Sequence, residues 1–314
     1  MHNVYLAQAA FLPELRTELA GHIVAEHGTL LITDTDKPCA FAIDYWPNSE
    51  IHNFESINQA ARILKTAGLR WFHYPVSHVR RATLIQGAVK SIAVGAEVRF
   101  PVQHLPKAGG FCLLDQNTLL LCKTPWKRMP AGEYRFHEDK INPPNRAYLK
   151  LWEALSVLGE SPTADDVAID LGASPGGWTW VLQQCGAEVI AVDKAPLAAH
   201  IQQLPRIHAL QQSAFALSPQ GIAPLVPHHP NAQGPYWLVA DIACYPDRLL
   251  QLAQQWIASG HFKRMICTLK LQGQTDFKAI AAFQAIPNSW VTHLWHNKHE
   301  LTWFWANDRC HPAA

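Results

Sequence analysis

Short β-rich runs and helix-spaced apolar positions alternate along the first third of the chain. Val4–Ala7, Thr29–Thr33 and Ala40–Tyr45 read as strands, Pro13–Val24 as an amphipathic helix and Ile57–Ala67 as a second helix. Phe111–Leu114 and Leu119–Lys123 flank an Asp-Gln-Asn turn and predict a hairpin. Together these elements predict a small α+β domain over residues 1–125. Proline and charge then crowd together in WKRMPAGEYRFHEDKINPPN, which predicts a linker over residues 126–145.

Beyond it the pattern becomes regular. A helix is expected over Arg146–Leu158, with Asn145 as its cap, followed by strands at Val167–Leu171, Val189–Asp193, Ile207–Gln211, Trp237–Ile242 and Met265–Leu271. Helical stretches fall at Gly176–Cys185, Pro246–Ser259 and Asp276–Ala285, and Trp290–His296 and Leu301–Ala306 close the chain as two further strands. Short apolar strands alternating with helices predict an α/β domain over 146–314, with a mostly parallel, doubly wound sheet covered on both faces. Its ligands belong beyond the carboxyl ends of the strands.

Composition narrows the class. At 48% apolar and 16% charged over 314 residues, the chain has a globular composition, and no apolar run reaches the length of a membrane span. The N-terminus lacks a basic start and a clean hydrophobic stretch, so an unsecreted protein is expected. Seven scattered cysteines, Cys39, Cys112, Cys122, Cys185, Cys244, Cys267 and Cys310, form no CxxC pair, which argues for a reducing cytoplasmic setting rather than a disulfide framework. His228, His229, His293, His296 and His299 come without an assembled thiolate or carboxylate set, and no metal is expected.

The net charge of +1 conceals an asymmetry. Residues 1–150 carry 17 Lys and Arg against 13 Asp and Glu, whereas residues 151–314 carry 9 against 12. Between Ser56 and Leu114 stand eight basic residues and a single acid, Glu97, with Trp71, Phe72 and Tyr74 interleaved. That mixture suits phosphate contact and base stacking, so Arg80 and Arg81, with Lys127 and Arg128 in the linker, are candidate nucleic-acid contacts.

The sharpest local signal is DLGASPGGW, Asp170 to Trp178, where a strand runs through a glycine-rich turn into a helix. Twenty-three residues after Asp170 a second strand ends in Asp193, placed to take two ribose hydroxyls. Ser174 stands where a dinucleotide fingerprint has its second glycine, and Pro175 precedes the helix, which disfavours a nicotinamide cofactor. S-adenosylmethionine (SAM) has a ribose but no pyrophosphate and suits such a loop. Gly172, Ser174, Pro175, Gly176, Gly177, Trp178, Asp193 and Asp241 are therefore the candidate cofactor contacts. Four further charges fall at telling places. Lys150 lies on the helix before the loop, Asp241 and Lys270 end two strands, and Glu300 precedes the last. Two lysines and two carboxylates gathered at a sheet rim balance to neutrality, which makes joint burial tolerable.

The order Lys150, DLGASPGGW, Asp193, Asp241, Lys270, Glu300 resembles the FtsJ-type SAM-dependent RNA ribose 2′-O-methyltransferases, whose hallmark is a Lys-Asp-Lys-Glu tetrad around the methyl acceptor. RAYLKLWEA, LKLQGQTD and HELTWFW are most similar to the bacterial large-subunit rRNA cytidine-2′-O-methyltransferases of RlmM type. The resemblance covers about residues 140–307. It implies a Rossmann-like methyltransferase domain, SAM as cofactor, rRNA as substrate and Lys150, Asp241, Lys270 and Glu300 as the catalytic set. VYLAQAAFLPELRTELA resembles the opening of that family's RNA-binding region, which includes a THUMP module. Two departures are visible: the N-terminal region is shorter, and Ser213 stands where the family has an acid near the adenine.

Lys270 is the candidate general base or hydroxyl activator. A base role requires its pKa to fall, which burial and Lys150 promote and Asp241 and Glu300 oppose. Two other classes remain open, a small-molecule O-methyltransferase and a non-catalytic RNA-binding protein on a methyltransferase fold. The basic accessory domain counts against the first and the complete tetrad against the second.

Overall fold

The computed structural model describes residues 1–102 and 107–308. The chain divides into two units, Met1–His137 and Glu138–Ala314. Cys310 lies outside the described residues, and the other six cysteines are free thiols. Among the described residues no helix is long and apolar enough to cross a membrane.

The first unit runs β1 (His2–Leu6), α1 (Leu12–Glu18), β2 (Ile23–His27), β3 (Leu30–Thr33), β4 (Asp44–Asn53), α2 (Ile57–Lys65), β5 (Arg70–His73), α3 (Val79–Gly87), β6 (Glu97–Val98), β7 (Ala108–Leu113), β8 (Thr118–Cys122) and β9 (Arg135–Phe136). Seven strands form one sheet in the order β2-β3-β1-β4-β8-β7-β5, while β6 pairs with β9. Phe54, Leu64, Trp71, Ile85, Phe111 and Leu119 share one core, which accounts for the apolar faces of α2 and α3.

Three expectations change here. The helix predicted to run to Val24 stops at Glu18, because Gly21 takes a φ of +83° and the alternation of Ile23–His27 forms a strand instead. The strand predicted over Ala40–Tyr45 begins at Asp44, because the Glu18 carboxylate accepts the backbone N–H groups of Ala40 and Phe41 at 2.8 and 2.9 Å and holds them in a turn. The stretch expected as a linker is folded over its first half: Trp126 N donates to Tyr45 O, Lys127 N donates to Asp44 Oδ1, and Met129, Tyr134 and Phe136 are buried.

The second unit comprises α4 (Tyr148–Leu158), β10 (Val167–Leu171), α5 (Gly177–Gln184), β11 (Glu188–Asp193), α6 (Ala199–Gln202), β12 (Ile207–Gln211), β13 (Tyr236–Ala240), α7 (Pro246–Ala258), β14 (Phe262–Lys270), α8 (Phe277–Gln284), β15 (Ser289–Thr292) and β16 (Glu300–Ala306). Its sheet has the order β12-β11-β10-β13-β14-β16-β15. The first five strands are parallel, and β16 runs antiparallel to β14 and β15. Every residue of β10 and β13 is buried, as strands covered on both faces require. This is the expected doubly wound α/β fold. The order reverses between β10 and β13, and a crevice opens beyond the carboxyl ends of strands at such a switch point.

Candidate active site

The glycine loop follows β10 and Asp241 follows β13, so both lie at the switch point. Their backbones touch: Asp241 N donates to Leu171 O at 3.1 Å, and a Cβ on Gly172 would stand 3.1 Å from Asp241 O. Gly172 also takes a φ of +82°, so a side chain there is excluded twice over. Gly176 repeats the argument at the start of α5, with a φ of +114° and Ile201 Cγ2 2.8 Å from where its Cβ would be.

The loop is latched to the end of β11. Asp193 Oδ2 accepts from Ser174 N at 3.1 Å and Oδ1 from Ala195 N at 2.9 Å. Ser174 Oγ donates to Pro196 O, and Pro175 O accepts from Ala198 N. Beside Asp193 a cleft of about 160 Å³ opens, lined by Ala191, Leu197, Ala209, Leu210 and Gln211 among others. Ser213 is not in that lining; its Oγ accepts from Phe215 N and caps a short 3-10 turn. Trp178 is buried under the loop, with its indole N–H donating to Ala147 O at 2.9 Å and its ring 5.9 Å from Lys150 Nζ. Its position makes it a packing support between α4 and α5.

The four charges converge. Lys150 Nζ donates to Asp241 Oδ2 at 2.7 Å and to Glu300 Oε1 at 3.0 Å. Lys270 Nζ donates to Glu300 Oε2 at 3.1 Å and lies 2.5 Å from Asp241 Oδ1. That last contact is a close ion pair. Charges therefore alternate around a closed ring. Lys150 is 13% exposed and Lys270 26%, so Lys270 is the cation more open to an incoming group. Glu300, expected between strands, is the first residue of β16 and the register partner of Lys270 on β14.

Burial alone would raise the Asp241 carboxyl, but the Lys150 and Lys270 ammonium groups outweigh it and hold it below the usual range. For Lys270 burial pulls the pKa down, yet Asp241 and Glu300 outweigh it and the result lies above the ordinary lysine value. A base role would need the opposite shift. In the ring as it stands, Lys270 is an ammonium.

Asp170 was not singled out from sequence as a site residue, although an acid one residue before the end of an otherwise apolar strand marks it. Its side chain is fully buried; Oδ2 accepts from Thr179 Oγ1 at 2.6 Å, and among the described residues Oδ1 has no hydrogen-bond partner. Burial pushes its carboxyl up to about 7, and the negative charges of Asp241 and Asp193 add to the rise. A cationic ligand at these strand ends would oppose that rise.

The basic candidates separate. Arg80 and Arg128 are exposed. Arg81 is half-buried, with its guanidinium donating to Glu55 O and lying 5.1 Å from the Phe54 ring. Lys127, expected at the RNA surface, is buried, with Nζ over the Trp126 ring at 4.4 Å and its charge facing Asp44. Its ammonium is committed within the fold, which corrects that expectation.

Residues 143–279 match the model of the FtsJ-like methyltransferase family. The chain is 33% identical over 192 residues to ribosomal RNA large subunit methyltransferase M of Alkalilimnicola ehrlichii, covering 57% of this chain and 49% of that protein. It is 32% identical over 207 residues to the protein of the same name from Laribacter hongkongensis, covering 60% of this chain and 53% of the relative. With that of Tolumonas auensis it is 29% identical over 304 residues, 89% and 75%. The chain thus spans about half the length of the first two relatives. Over residues 143–279 its second unit is similar to the FtsJ-like methyltransferases, for which SAM is the cofactor the glycine loop suits. The residues present fit that cofactor: the loop closes over glycines that leave room for a ligand, and the orphaned Asp170 Oδ1 and its neighbouring carboxylates suit a sulfonium carrying an ammonium.

Proposed function

We propose that this chain transfers a methyl group from SAM to a ribose 2′-hydroxyl of RNA, with ribosomal RNA as its substrate. The observation that carries the reading is the closed ring of Lys150, Asp241, Lys270 and Glu300 at the switch point beside the glycine loop. Support for ribosomal RNA comes from the names of the relatives and from the basic stretch of the first unit, where Arg80 and Arg128 are the exposed cations retained as RNA contacts.

Gly172, Ser174, Gly176 and Gly177 would shape the cofactor's bed, Asp193 and the adjoining cleft its nucleoside side, and Asp170 and Asp241 its charged amino acid side. SAM supplies an electrophilic methyl group on a sulfonium. Transfer forms one O–C bond, breaks one C–S bond and releases the hydroxyl proton. Lys270, as an ammonium, donates to the 2′-oxygen, aims its lone pair and stabilises the negative charge that grows there as the proton leaves. Lys150 bridges both carboxylates and keeps them from collapsing onto Lys270. Asp241 and Glu300 in turn hold the Lys270 nitrogen in line. Water or a ring carboxylate takes the proton.

The test is methyl transfer from labelled SAM to ribosomal RNA by wild type and by the Lys150→Ala, Lys270→Met and Glu300→Ala variants. The reading expects transfer that each substitution impairs. Label passing to catechol-like small acceptors and not to RNA would favour a small-molecule methyltransferase.

A further inference from the structure

Glu153 stands three residues past Lys150 on α4, a spacing that sets both on one helix face. Lys150 reaches the ring. Glu153 is fully buried and reaches the turn between β15 and β16: Oε1 accepts from Trp295 N at 2.7 Å, and Oε2 accepts from His296 N at 2.9 Å and from His296 Nδ1 at 2.8 Å. That turn delivers Glu300. It is braced internally, with Asn297 N donating to Leu294 O and the Asn297 side chain bonded to Thr302 Oγ1 at 3.1 Å. A braced turn moves as a body, so what fixes it to α4 fixes Glu300 relative to Lys150.

We infer that Glu153 is a positioning residue for the tetrad, clamping the turn that carries Glu300 onto the helix that carries Lys150. Burying a carboxylate is costly unless it is well hydrogen-bonded, and here three N–H donors converge on it. An apolar side chain would fill the space and leave the Trp295 and His296 backbone donors unpaired. The clamp acts on orientation: a ring of four charges aligns an acceptor only while all four are held to within a few tenths of an ångström, and small displacements are expensive in rate. The inference rests on the methyl-transfer reading, since it concerns the same four residues.

Two variants test it, Glu153→Gln, which keeps the shape but turns an amide N–H toward a donor, and Glu153→Leu, which removes every acceptor. Both are expected to lower kcat for methyl transfer by about 10-fold or more, while KM for SAM and for RNA stays within about 3-fold. In a Glu300→Ala background the same changes should cost less than about 2-fold, because a residue acting through Glu300 has nothing left to position. Full additivity there, or an unchanged kcat, overturns the proposal. Amide hydrogen exchange across residues 293–299 reads the clamp with no substrate present: it should quicken in Glu153→Leu, and unchanged exchange also overturns it. A wild type that methylates no RNA would defeat the functional reading and leave the exchange result to judge the clamp.

Discussion

Lys270 and Glu300 are register partners on the antiparallel strands β14 and β16, and their side chains meet, Nζ to Oε2, at 3.1 Å. Strand pairing brings together two charges thirty positions apart, and the neighbouring β13 delivers Asp241 to the same ammonium. Two carboxylates on one lysine favour its ammonium form. In the proposed mechanism Lys270 is accordingly a donor and charge-stabiliser.

Lys270→Met keeps much of the apolar stem and removes the ammonium. SAM affinity by calorimetry should stay within a few-fold while single-turnover methyl transfer falls about 100-fold or more, the scale for losing an activating group. Near-normal transfer by this variant would remove Lys270 from the proposed mechanism.

Asp193 has two duties, since it latches Ser174 and Ala195 as well as standing beside the cleft. Asp193→Ala should therefore weaken SAM binding by about 10-fold or more and lower the melting temperature of the protein without SAM, each from lost charged hydrogen bonds. An intact SAM affinity would move the cofactor away from β11.

Asp170 makes a pH-dependent prediction. Its carboxyl, ordinarily at 3.8, is pushed up to about 7 by burial, so between those values the folded protein holds a proton that the unfolded chain has released. Its contribution to stability is full below the lower value and declines as pH rises toward the upper one. Glu18 and Asp44, each also near 7 through burial, have the same sign, so the readout is the difference between Asp170→Asn and wild type: the variant's melting temperature should fall less steeply across this window. Cationic SAM should favour the ionised form and expel a proton on binding near pH 6. Calorimetry in buffers of different ionisation enthalpy detects that release; equal heats would contradict it.

In the first unit, Arg80→Ala should reduce the salt dependence of RNA binding by about one unit of logarithmic slope with little effect on stability. Arg81→Ala should also lower the melting temperature, because its guanidinium is engaged with Glu55 and Phe54. An unchanged slope for the Arg80→Ala, Arg128→Ala pair would place RNA contact elsewhere.

The second unit was legible in the sequence because most signals there are local. The apolar runs of β10, β13 and β14 announce buried strands, and an ionisable residue ending such a run emerges at the rim. Lys150 alone needed the fold to bring it in. The first unit was read less well. Its helix α1 ends and β4 begins where Glu18 caps a turn 22 residues away, a bond that no periodicity encodes. The β5 strand and the α3 helix were not expected at all, since Arg70–His73 is short and α3 starts without a side-chain cap. Lys127 looked like a surface cation until its backbone and charge were seen to serve buried Asp44. Glu153 carried no signal, because its partners lie 142 and 143 positions on.

The proposed function turns on which atom receives the methyl group. Ribosomal RNA methylated by the purified protein with labelled SAM can be hydrolysed in alkali, which cleaves only where a free 2′-hydroxyl is present. The label is expected in an alkali-resistant dinucleotide at one position of the large-subunit RNA. Label released in ordinary mononucleotides carrying a methylated base would contradict it.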